Sequence, residues 1–159
     1  MTKILDVEKD LSALVSSCSE TLENMAFCEV EFKEHSDKYL DGIDFSDKII
    51  VSLKILKPFS AQIFFVAARE FLVEMTSTMY SKLPSDQAAD HLLMDVACEM
   101  LNIISGCFMK IKVGQNGEFL LDLPNKKVDV DKDLLSSNKE KIVATFDANG
   151  YELVFGIEA

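Results

Sequence analysis

The stretch 91-HLLMDVACEMLNIISGCFM-109 decides how the rest of this chain is read. Wound as a helix at about 100° per residue, it places His91, Asp95, Glu99, Asn102 and Gly106 on one narrow arc, successive members three or four apart. Almost everything else in it is apolar, from Leu92 and Leu93 through Met100 and Leu101 to Cys107 and Phe108. A helix that is apolar around most of its circumference is buried by its neighbours. Its polar arc must still reach solvent, because an unpaired carboxylate is costly to bury. Glu99 and Asn102 are therefore expected side by side on a rigid, core-anchored support, with Gly106 leaving the end of the arc uncluttered.

Working outward, Leu11, Leu14, Val15, Cys18, Leu22 and Met25 predict a helix over 3–26. Alternation in Cys28-Glu29-Val30-Glu31-Phe32 predicts a strand, and the polar run from His35 to Asp47, with Gly42, a loop. Lys48–Leu56 and Ser60–Val66 read as strands joined around Lys57-Pro58-Phe59. Ala67–Lys82 reads as a helix stopped by Pro84, after which Ser85 or Asp86 caps the long helix, which runs to about Gly106. Met109–Val113 and Glu118–Leu123 flank Gly114-Gln115-Asn116-Gly117, a hairpin pattern. A charged stretch follows from Asn125 to Lys139. Lys141–Phe146 and Tyr151–Ile157 then flank Ala148-Asn149-Gly150, a second and clearer hairpin. Phe64, Phe65, Phe71, Leu72 and Met75 are assigned to the core. The whole reads as one α+β domain over 1–159.

With 159 residues and a formal charge of −11, the chain repels phosphate backbones and anionic lipid surfaces. No nucleic-acid or membrane partner is expected. No apolar leader follows Lys3, and the longest unbroken apolar run, Ile63–Ala68, is far short of the roughly 20 residues a spanning helix needs. Cys18, Cys28, Cys98 and Cys107 form no C-x-x-C pair and sit in apolar patterns, as buried thiols of a reducing cytoplasm do. Asp129-x-Asp131-x-Asp133 with Glu140 imitates a calcium loop, but Leu134 stands where the turn requires Gly, so it reads as a solvated loop. His35 and His91 have no ligand set around them, and no metal site is expected. Asp95 and Glu99 could form an acid–base carboxylate pair, but nothing in the pattern encloses them.

Displacing the chain by 79 residues lays Ser16 on Asp95, Glu20 on Glu99 and Glu23 on Asn102. The same displacement lays Cys28 on Cys107, Val30 on Met109 and Phe32 on Ile111. Two pseudo-repeated halves, about 1–82 and 83–159, would each be a long helix running into strands.

Asp95-x-x-x-Glu99-x-x-Asn102, followed by Pro124, resembles the signature of the CheC/CheX/FliY phosphatases of bacterial chemotaxis, CheX most of all. The resemblance extends to the chain's size, element order and duplicated halves. It implies a fold in which helices pack on a mainly antiparallel sheet, and hydrolysis of the phosphoaspartate of a CheY-like response regulator. Asn102 would then enter the regulator's active site and orient the attacking water. Glu99 would contact the regulator's active-site lysine and dock it, with His91, Asp95 and Gly106 on the same contact face. The resemblance also implies a cytoplasmic homodimer with no cofactor of its own, magnesium belonging to the regulator. In the first half, Ser16-x-x-x-Glu20-x-x-Glu23 keeps the Ser and the Glu but puts a carboxylate where the carboxamide is required. That charge would face a phosphoryl group, so the first site is degenerate. Asn24, one residue late, points about 100° away. The alternative is a non-catalytic module of the same fold that binds or sequesters a regulator.

Overall fold

In the computed structural model, the helix that carries the polar arc runs without a break from Asp86 to Val113. Residues 4–26, 28–36, 45–79, 86–128 and 140–159 are described. The elements are α1 (Val7–Ala26), β1 (Val30–Ser36), β2 (Lys48–Lys57), β3 (Ala61–Ala68), α2 (Arg69–Met79), α3 (Asp86–Val113), β4 (Leu120–Leu121), β5 (Lys141–Ala148) and β6 (Tyr151–Glu158). The predicted caps and stops at Ser85 and Pro84, and the calcium-like run 129–139, lie outside the described residues.

One expectation fails here. Met109–Val113 is not a strand but the last turn of α3, so no hairpin surrounds 114–117. Phe108 and Met109 are fully buried and prolong the helix's inner face, while Lys110 and Lys112 lie where the helix dipole favours cations. Gly114 then takes a φ of +84°, the left-handed conformation that ends helices. The glycine is a helix stop, with Gly117 N–H donating back to its carbonyl at 3.0 Å. It follows that Val30 and Met109, or Phe32 and Ile111, are not structural counterparts: the first of each lies in β1, the second in α3.

The single six-stranded sheet has the order β1-β5-β6-β3-β2-β4, and every pairing in it is antiparallel. Exchanging the strands of the two halves (β1 with β4, β2 with β5, β3 with β6) turns that order into its own reverse. Asn149 and Gly150, with φ of 53° and 86°, close the β5–β6 hairpin in a two-residue turn. β1 begins two residues later than the alternation predicts and ends four later, so His35 belongs to it, paired with Ala144. As an edge strand β1 can expose Lys33, Glu34 and His35, which is why its second half reads as a loop.

One face of the sheet carries the helices. Val51, Leu53, Ile55, Ile63, Phe65, Phe146, Phe155 and Ile157 pack there against Leu14, Cys18, Leu22, Phe71, Leu72, Met75, Leu101 and Phe108. A row of aromatic rings crosses four adjacent strands, Phe32 to Phe146 (5.8 Å), Phe146 to Phe155 (5.9 Å) and Phe155 to Phe65 (4.3 Å, stacked). Phe64, Val66, Val143 and Val154 point to the opposite face, where Phe45 and Val128 pack on them. Residues 90–113 are long and apolar enough to cross a membrane, with mean hydropathy 1.6 over a window of 18 residues, but 56% of that window is buried inside the fold. Its apolarity is that of a core helix.

α1 and α3 are locked at one end. Lys112 Nζ lies 2.9 and 2.8 Å from the two Asp10 carboxylate oxygens and donates to the Ile4 carbonyl at 2.9 Å. Both side chains are nearly buried, at 15% and 4% exposure. The N-terminal end of α1 therefore meets the C-terminal end of α3, and the two helices run in opposite senses.

Candidate functional site

The predicted arc is present on α3. His91, Glu99 and Asn102 are exposed, Asp95 and Gly106 half-buried, while Val96, Ala97, Met100, Leu101 and Ile104 around them are buried. Glu99 and Asn102, three residues apart, thus stand on a helix whose remaining circumference is fixed by core packing. Among the described residues neither side chain has a hydrogen-bond or ion-pair partner. Both are free to engage a second molecule.

Gly106 has no structural reason to be glycine. A Cβ built on it meets nothing within 4 Å, and its backbone is ordinary helix. Relative to Ala, glycine in a helix interior costs roughly 1 kcal/mol. What the glycine provides is a bare patch of backbone one turn beyond Asn102, where another molecule could approach closely.

The upper end of the arc holds a contact that the sequence did not disclose. Lys126 reaches across to the Asp95 carboxylate and hydrogen-bonds it. His91 Nε2 lies 3.5 Å from the other Asp95 oxygen. The Lys126 ammonium holds the Asp95 carboxyl below the usual aspartate range, and Asp95 in turn raises Lys126. Lys126 is delivered by a strap that follows β4. Asp122 N–H donates to Lys54 O at 2.8 Å, and Asn125 exchanges two backbone bonds with Ser52, at 3.1 and 2.6 Å. Pro124 sits in this strap, two residues ahead of the lysine. Only a lysine close behind the signature proline could have hinted at the contact, because the partners are 31 residues apart.

On α1, Ser16, Glu20 and Glu23 are exposed, as is Asn24. The first-half arc is therefore open to solvent, and steric cover is not what separates it from the arc on α3. Cys18 and Cys98 are buried free thiols whose pKa burial pushes up, which keeps them unreactive. Among the described residues, no three His, Cys, Asp or Glu side chains converge to hold a metal ion.

No family model and none of the curated proteins matches the chain. Solved structures do. A CheC-like superfamily protein from Shewanella sp. PV-4 has a TM-score of 0.73 at 17% identity, covering 97% of this chain and 98% of that one. The CheX of a CheX–CheY–BeF3–Mg2+ complex from Borrelia burgdorferi has a TM-score of 0.73 at 16% identity, with 96% and 98% covered. FliY from Thermotoga maritima has a TM-score of 0.61 at 12% identity, with 99% and 93% covered. The fold is that of the CheC/CheX/FliY chemotaxis proteins.

Proposed function

We propose that this protein is a phosphatase for the phosphoaspartate of a CheY-like receiver domain, with Asn102 and Glu99 as its working pair. The observation that carries the reading is their unpartnered display on a rigid helix beside an open glycine. An acyl phosphate is hydrolysed when a water oxygen attacks phosphorus in line, the bond to the aspartyl oxygen breaks, and inorganic phosphate leaves. Such a reaction requires positioning and charge stabilisation more than covalent help. A carboxamide suits that chemistry, because its oxygen accepts from the water, its NH2 donates, and it carries no charge to repel the phosphoryl group. Glu99, one turn away, is placed to pair with a cation on the receiver and fix the docking. The magnesium such a reaction uses belongs to the receiver.

The likeness to a CheX solved together with CheY supports this choice of partner. On the same reading the protein works in the cytoplasm, as a homodimer that size-exclusion chromatography with light scattering would detect. The test is the decay of a phosphorylated receiver from the same genome, followed in magnesium buffer with substoichiometric protein. Acceleration is expected, falling about 100-fold in Asn102→Ala with binding retained. Glu99→Ala should weaken binding and turnover together. Binding without acceleration would make the protein a sequestering module and overturn the catalytic assignment.

A further inference from the structure

Lys126 lies outside the Glu99–Asn102 pair yet touches its face. Along α3, Asp95 and Asn102 are separated by about 10 Å of helix rise, at about 1.5 Å per residue. A group anchored at Asp95 is therefore too far from the carboxamide to share in the attack on phosphorus. It is well placed to act on docking. Asp95 and Glu99 are one turn apart on the same arc, in a chain of net charge −11. Without a counter-charge they would present two neighbouring carboxylates to a partner whose acyl phosphate is itself anionic.

We infer that Lys126 sets the charge of the docking face, masking Asp95 so that an anionic partner meets one bare carboxylate, Glu99, in place of two. The inference rests on the phosphatase reading. Its geometry is specific: the ammonium is hydrogen-bonded to Asp95, and the strap that carries it is pinned to Ser52 through both backbone groups of Asn125. At 40% and 43% exposure the pair lies at the surface, where charge is felt by an approaching molecule. Charges in that position govern association more than chemistry, and salt screens them. Lys126 is thus a specificity-determining residue, not a catalytic one.

The test is steady-state dephosphorylation of a receiver domain phosphorylated by acetyl phosphate, at about 50 and 500 mM salt. Lys126→Gln should raise KM about fivefold at low salt with kcat within about twofold, and the gap should close at high salt. Lys126→Arg should behave as the wild type. The deciding variant is Asp95→Asn combined with Lys126→Gln. Masking predicts that KM returns to within about twofold of wild type, because the carboxylate left bare has been removed. An unchanged KM in Lys126→Gln, or no rescue by Asp95→Asn, would overturn the inference; the latter would mean that Lys126 touches the partner directly or only holds the strap. If the wild type accelerates nothing, the phosphatase reading falls, and affinity for the phosphorylated receiver in the same four proteins reads the masking instead. No binding by any of them would remove both.

Discussion

Replacing Lys112 by Met removes one half of a nearly buried ion pair that joins α1 to α3. Asp10 would stay behind at 4% side-chain exposure, keeping one hydrogen bond, from the Asp6 N–H at 2.8 Å. Breaking a buried pair from one side typically costs about 3–5 kcal/mol. The lost stacking of the ammonium over Phe59, 5.3 Å from the ring centroid, adds to this, while the surviving Asp6 bond offsets part. About 3 kcal/mol is the expected net loss. In a chain of this length it should lower Tm by roughly 6–12 °C, and in urea shift the midpoint by about 1–2 M. Chemical denaturation followed by circular dichroism measures it. Asp10→Leu together with Lys112→Met should recover to within about 1 kcal/mol of the wild type, because an apolar pair of similar size avoids the desolvation of two charges. A loss below about 1 kcal/mol in the single variant, or a double variant worse than the single, would refute the view that this lock is a mutually compensated buried pair. Below Tm the proposed site should be untouched, since Asn102 lies about 15 Å up the helix from Lys112.

Two further outcomes follow from the geometry. Gly156→Ala should destabilise by about 2 kcal/mol, because a Cβ there would overlap the buried Phe64 ring that lies across the glycine. A melting point within about 1 °C of the wild type would show that the ring moves aside freely. Glu23→Asn should confer activity on the α1 arc, since Glu23 is exposed and its charge, not steric cover, opposes a phosphoryl group. In an Asn102→Ala background the substitution should restore measurable receiver dephosphorylation; complete silence there would mean that the carboxamide alone does not make a site.

How much of the fold and site was legible in the sequence depended on whether the signal was local. The polar arc of α3 is a local period and was readable residue by residue, as were the Asn149-Gly150 turn and the aromatic core. The end of α3 was not. Met109–Val113 alternates apolar residues with Lys110 and Lys112, as a half-buried strand does, and Gly114 suits a turn as well as a helix stop. Gly114's positive φ settles the matter, and no periodicity contains it. The second half of β1 was missed because a bulge between Phe32 and Glu34 breaks its alternation. Lys126–Asp95 and Lys112–Asp10 join residues 31 and 102 positions apart, and such pairs are set by topology alone.

The sheet is symmetric under exchange of the two halves while the surface it supports is not. Both halves contribute a long helix with an exposed Glu on its polar arc, Glu20 and Glu99, so the scaffold alone does not distinguish them. What differs lies three residues on: a carboxylate at Glu23, a carboxamide at Asn102. A glycine open to solvent lies beyond Asn102, in the middle of a helix where alanine would be more stable by roughly 1 kcal/mol. An otherwise apolar helix that keeps unpartnered polar groups and a dispensable glycine on one arc departs from the stabilising choice repeatedly in one place. Departures grouped in this way are expected where a surface is shaped for another molecule. The α3 arc meets that condition and the α1 arc does not, which is the physical ground for assigning one working site to each chain.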